Sequence, residues 1–137
     1  LAKINYEIKP GDIVLLMTGA DKHWNVNDYQ IAHPGMGREA TIWLLERGVK
    51  VIGTDGYGFD RPFKSMVEDY HRTKDNSLLW PGHLTGRTQE YYHIEKMANL
   101  EQIPKPYGFK VACFPIKVEK GSAGWVRPVA IVEEAEN

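Results

Sequence analysis

The segment from Arg38 to Asp60 constrains the fold more than any other part of the chain. Arg38 to Arg47 is rich in helix formers, with Ala40, Trp43 and Leu44 at i, i+3 and i+4. That spacing predicts an amphipathic helix packed on a sheet, with Trp43 in the core. Glu39 near its start and Arg47 near its end complement the helix dipole, and Gly48 is a natural stop. Val49-Lys-Val-Ile-Gly-Thr54 is β-branched and reads as a strand. Asp55-Gly-Tyr-Gly-Phe-Asp60 follows it as an acidic, glycine-rich loop. Helix, stop, strand and loop make one α/β unit. Loops after the C-terminal ends of such strands line sites, which makes Asp55 and Asp60 candidates. Turn chemistry is the alternative, since tight turns use Asp and Gly. Gly53, Gly56 and Gly58 do not have the spacing of a dinucleotide fingerprint.

The rest of the chain fits around this unit. Ile13-Val-Leu-Leu-Met-Thr18 reads as a buried strand, and residues 19–27 read as a loop that leaves His23 in solvent. Phe63, Met66, Val67 and Tyr70 allow a short helix, beyond which His71, Arg72, Lys74, Asp75 and Asn76 look exposed. Trp80 suits a pocket wall or the core equally. In Tyr91-Tyr-His-Ile-Glu-Lys96 helix and strand compete. The strand is preferred, and its alternation puts Tyr91, His93 and Glu95 on one face. A helical turn at residues 98–103 is ended by Pro104 and Pro106. Strands follow at residues 110–115, where Cys113 reads as an inert core residue, and at residues 126–132, where Pro128 marks an edge or a start. The acidic tail from Glu133 to Asn137 is expected to fray. Residues 1–137 are thus expected to be one α/β domain, a mixed sheet with flanking helices.

Composition excludes several function classes. Seventeen basic and 18 acidic residues give a net charge of −1, so nothing electrostatic favours nucleic acid or an anionic membrane. No apolar run approaches the roughly 18 residues of a spanning helix, and no secretory signal is evident. Cys113 is the only cysteine, which predicts a reducing, cytoplasmic setting without a disulfide framework.

The stretch Trp80-Pro-Gly-His-Leu-Thr-Gly-Arg-Thr-Gln-Glu-Tyr-Tyr-His-Ile-Glu95 holds the candidate metal ligands, His83 and Glu95. An imidazole and a carboxylate are a minimal set of borderline and hard donors. On one continuous helix they would stand about 18 Å apart, too far for one ion. If they share a site the chain must turn between them, and Gly86 allows that turn. The bland alternative is two unrelated surface residues.

Four stretches together resemble one family: Ile8-Lys-Pro-Gly-Asp-Ile-Val-Leu-Leu-Met-Thr-Gly19, the run from His33-Pro-Gly-Met-Gly to Gly53-Thr-Asp55, Ile94-Glu-Lys-Met-Ala-Asn-Leu100, and Gly108-Phe-Lys-Val-Ala-Cys-Phe-Pro-Ile-Lys117. They are similar to the cyclase family of metal-dependent hydrolases, which includes kynurenine formamidases and isatin hydrolases. The resemblance implies a swivelling β/β/α fold, assembly into homo-oligomers, and hydrolysis of an amide, formamide or cyclic amide bond in a small molecule. It also implies a divalent metal, zinc or manganese, held in part by His83 and Glu95. His93 reads as a surface or core residue, with an outer place at the site as the alternative. The family's N-terminal motif, His-x-Gly-Thr-His-x-Asp-x-Pro-x-His, supplies the other ligands and the general base, and it does not occur in these 137 residues. The expectation is a C-terminal half whose fold and metal site are completed by an N-terminal segment or a second polypeptide. A trimmed or processed chain is the other way to explain a start at Leu1.

Trp80, Tyr91 and Phe59 are candidates for an aromatic pocket. Two other classes compete with the hydrolase. One is a structural or binding subunit that keeps the cyclase-like fold without the chemistry. The other is a cysteine hydrolase using Cys113, which would need an exposed, electropositive setting and a base.

Overall fold

The structure, a computed structural model, describes residues 1–133. The expected fraying of the acidic tail concerns residues 134–137 in the main, which lie outside the described residues. The chain forms two compact units, Glu7–Leu100 and a second one built from Leu1–Tyr6 with the segment from Glu101 onward.

In the first unit, β1 (Ile13–Leu16), α1 (Arg38–Leu45), β2 (Val51–Thr54), α2 (Phe63–Thr73), α3 (Pro81–Thr85) and β3 (Tyr92–Ile94) follow in order. The strands make a parallel sheet in the order β1-β2-β3, with Ile13 opposite Val51 and Gly53 opposite Ile94. Parallel neighbours need crossover connections, which α1 supplies between β1 and β2, and α2 with α3 between β2 and β3. The central strand is the most buried: Ile52 is 0% exposed, and Gly53 and Thr54 are also buried. Such burial is why its sequence is a β-branched run rather than an alternation. Leu44, Leu45, Val49, Ile52 and Phe59 form the core, with Ile8, Val14, Leu16, Met36 and Tyr91 packed against it.

Helix α1 lies where the periodicity puts it, but rotated. Its inner face is Thr41, Leu44 and Leu45, whereas Ala40 is exposed and Trp43 is 40% exposed. The expectation that Trp43 packs in the core is therefore corrected. Burying Thr41 is tolerable because its hydroxyl donates to the Gly37 carbonyl (2.9 Å) within the helix's first turn. Trp43 instead carries the Arg47 guanidinium 3.7 Å from its ring, a cation–π contact that covers one face of the indole. Gly48 ends the helix at φ +83, and a Cβ there would press on Pro10 Cα at 2.7 Å.

The short helix expected around Met66 is α2, in which Met66 is 1% exposed, and residues 71–76 are exposed as expected. The strand preferred at residues 91–96 is β3, and the turn expected at 98–103 is a single 3-10 turn, Leu100–Gln102.

The second unit contains β4 (Lys110–Ala112) and β5 (Val129–Ile131), an antiparallel pair with Lys110 opposite Ile131. β5 starts immediately after Pro128, which lacks the N–H a ladder needs. Parallel and antiparallel strands are thus both present, in two separate sheets rather than one mixed sheet. Cys113, just past β4, is half-buried rather than a core residue. Among the described residues no helix is long and apolar enough to cross a membrane.

Candidate metal centre

The loop after β2, the helix α3 and the end of β3 converge beside the C-terminal edge of the parallel sheet. α3 places His83. Asp60, from the loop after β2, is 3% exposed and accepts hydrogen bonds from the backbone N–H groups of Gly82 (2.6 Å) and His83 (3.0 Å). The same carboxylate lies 2.6 Å from His83 Nδ1. Gly82 permits this approach, because a Cβ there would sit 3.0 Å from both Asp60 Oδ1 and the Phe59 ring. The residue before this helix, Trp80, is held at φ +48, a costly conformation for a non-glycine residue preceding proline.

Glu95 follows directly on β3. Its Oε1 accepts a 2.8 Å hydrogen bond from the Phe59 N–H and lies 3.6 Å from His83 Nε2 and 3.4 Å from His93 Nε2. Its Oε2 lies 3.6 Å from Lys96 Nζ, and that ammonium rests 4.4 Å from the Tyr57 ring. His93, inside β3, stacks on Phe59 (4.6 Å between centroids, 21°) and meets His83 edge-on at 4.5 Å.

His83, His93 and Glu95 each offer a donor atom within 4.8 Å of the others. Three donors at tetrahedral corners, each about 2.05 Å from one ion, are separated by about 3.3 Å. The two separations from Glu95 Oε1, 3.6 and 3.4 Å, are close to that, and the two imidazoles lie within 4.8 Å of each other at their donor atoms. Two imidazoles and a carboxylate can hold a divalent ion, and such a triad is one of the recurring donor sets of catalytic zinc.

The electrostatics of the cluster are set by these contacts. The hydrogen bond with Asp60 raises the pKa of His83 above its usual value; burial opposes the rise, and the charges of Asp60 and Glu95 add to it. Burial is the largest influence on Glu95 and pushes its carboxyl up. The His93 hydrogen bond, the Phe59 N–H and the charges of His93 and Lys96 together outweigh that, bringing it to about 2. Tyr91 donates to the Gly82 carbonyl (2.7 Å), and burial pushes its hydroxyl well above the usual range.

The residues singled out from the sequence divide clearly. His83 and Glu95 meet. Gly86, expected to permit the turn between them, does so at φ −60, a conformation open to any residue. Asp60 joins the cluster, whereas Asp55 does not: fully buried, it accepts from the Thr18 N–H, the Thr18 hydroxyl and the Gly19 N–H, tying the end of β2 to the loop after β1. His23 pairs with Asp28 at 3.0 Å. Phe59 and Tyr91 support the imidazoles, while Trp80 stacks on Phe63 (5.1 Å) and walls a cleft that opens beside His83. From sequence His93 has at most an outer place, with a surface or core role preferred. The signal for a closer one is its alternation with Glu95, which puts both on one face.

Residues 1–61 match the family model described as "Putative cyclase". The cyclase resemblance read from residues 8–19 and 33–55 lies inside that span, while His83, His93 and Glu95 lie beyond it. A crystal structure of an isatin hydrolase bound to the product analogue thioisatinate superposes with a TM-score of 0.75 at 22% identity, covering 93% of this chain and 48% of that one. The chain has the α/β fold of that protein and spans about half its length. No curated protein matches the sequence.

Proposed function

We propose that this chain supplies His83, His93 and Glu95 to the metal centre of a hydrolase acting on an amide, formamide or cyclic amide bond. The observation that carries the reading is the convergence of three donor atoms within 4.8 Å from two separate elements. The cyclase resemblance supports the reaction class. Zinc and manganese both suit mixed nitrogen and oxygen donors.

A bound divalent ion would polarise the scissile carbonyl and lower the pKa of a water molecule. The chain's own residues prepare for it. His83 and His93 offer Nε2 in their neutral forms. Glu95 brings a negative charge, and the Phe59 N–H fixes the direction of its Oε1. The cleft beside His83, lined by Tyr57, Phe63, Met66 and Trp80, receives the small-molecule substrate. The remaining ligands and the general base come from an N-terminal segment or a second polypeptide, in a cytoplasmic homo-oligomer.

The test is to co-express the chain with a segment carrying the His-x-Gly-Thr-His motif and assay hydrolysis of an aromatic formamide. Activity lost to a chelator and restored by zinc or manganese is expected. An assembly that binds no metal at His83 and Glu95 would favour a structural or binding subunit instead.

A further inference from the structure

The contact between Asp60 and His83 does more than hold α3 in place. A carboxylate only accepts hydrogen bonds, so the 2.6 Å contact with Asp60 Oδ2 requires a proton on His83 Nδ1. In a neutral imidazole the other nitrogen then carries the lone pair. That nitrogen, Nε2, faces Glu95 Oε1 at 3.6 Å. Asp60 has little freedom to do otherwise. Its side chain is 2% exposed, and both its oxygens are also engaged by backbone N–H groups at the start of α3. Its own loop is pinned by the hydrogen bond from the Met36 N–H to the Phe59 carbonyl (2.8 Å).

We infer that Asp60 is the positioning residue of the site: it fixes the tautomer and ring orientation of His83 so that Nε2 presents its lone pair toward Glu95 and His93. Its consequence for metal binding rests on the functional reading above; the tautomer itself does not. A carboxylate behind a metal-binding histidine raises the basicity of the ligand and fixes its direction, and losing such a partner costs about 10–100-fold in metal affinity.

Asp60→Asn makes the sharpest variant. An amide has one accepting oxygen where the carboxylate has two, and three N–H groups compete for it. With the amide oxygen taken by the backbone of α3, its NH2 group faces Nδ1 and selects the opposite tautomer, with the proton on Nε2. A change of this kind turns a correctly placed imidazole into the wrong donor.

Nitrogen NMR on metal-free protein with isotope-labelled histidine, at a pH above the His83 titration, reads the tautomer directly. The expected result is a protonated Nδ1 and a bare Nε2 in the native chain, reversed in Asp60→Asn. In a competition titration with zinc alone, the variant should bind about 10–100-fold more weakly than the native chain. A native chain with the proton on Nε2 would overturn the inference, and that measurement stands even if the variant fails to fold. Retention of both native tautomer and native zinc affinity in a folded Asp60→Asn would overturn it too. A native chain with the expected tautomer but no affinity for zinc would leave the positioning role standing and would count against the proposed function alone.

Discussion

Glu95 Oε1 lies 3.6 Å from His83 Nε2, although one residue directly follows β3 and the other lies inside α3. The loop after β2 joins them: Asp60 holds the imidazole and the Phe59 N–H holds the carboxylate, so neighbouring residues of one loop aim both groups.

Removing any of the three donors should weaken divalent-metal binding. His83→Ala, His93→Ala and Glu95→Gln are each expected to lower zinc affinity by at least the ~10–100-fold that loss of an outer partner costs. A chelator competition titration measures this. His93→Ala is the informative variant, because a role confined to stacking on Phe59 would leave the affinity within a few-fold of native.

Acidity should oppose the metal at His83. Its pKa is raised by Asp60, and only the neutral ring can bind, so affinity should fall as pH drops through a midpoint above the ordinary value near 6.5. The metal-free protein behaves in the opposite sense at this group. The charged His83–Asp60 pair contributes stability that is fully present below the unfolded pKa and is lost as pH rises through the raised folded one. Urea midpoints across that range, with and without zinc, should therefore move in opposite directions as pH rises.

Glu95 governs the acid limb. Its carboxyl falls from 4.5 to about 2 in the fold. The stability it contributes is present above 4.5 and is lost as pH falls from there through about 2. Metal-free Glu95→Gln should lose less stability than the native chain over that interval in acid-denaturation curves.

Asp55 and Trp43 should behave unlike their appearance in the sequence. Asp55→Ala removes the buried acceptor of three part-buried hydrogen bonds, from the Thr18 N–H, the Thr18 hydroxyl and the Gly19 N–H, and a hydrogen bond to a charged group contributes about 1.5–3 kcal/mol. It should lower stability markedly, through lost folding alone. Trp43→Ala should cost less than the about 3–5 kcal/mol of a buried tryptophan, because the residue is 40% exposed and its contact with Arg47 is worth only about 0.5–1 kcal/mol. Thermal or urea unfolding separates the two ranges.

The elements were legible where one physical signal dominated. The β-branched run ending at Thr54, the glycine stop at Gly48 and the apolar run from Ile13 each specify local structure with little help from the rest of the chain. The face of α1 was not legible. Trp43 and Leu44 stand about 100° apart on the helical wheel, so a modest rotation buries one face or the other, and the balance fell to Thr41, whose hydroxyl is satisfied within its own helix and so can turn inward. His83 and Glu95 were legible as a pair through spacing and family resemblance. Asp60 is a candidate from its place in the loop after β2 and His93 from its alternation with Glu95, but only tertiary contacts bring them to His83, since an Asp in a glycine-rich loop and a His after two tyrosines look the same whether or not an imidazole lies across from them.

The most direct test of the account is an anomalous difference map from crystals of the chain soaked in zinc. The expected result is a peak about 2.0–2.1 Å from Nε2 of His83 and of His93, and about 2.0–2.2 Å from a carboxylate oxygen of Glu95. Zinc peaks confined to other surface residues, with these three side chains unmoved and without density between them, would contradict it.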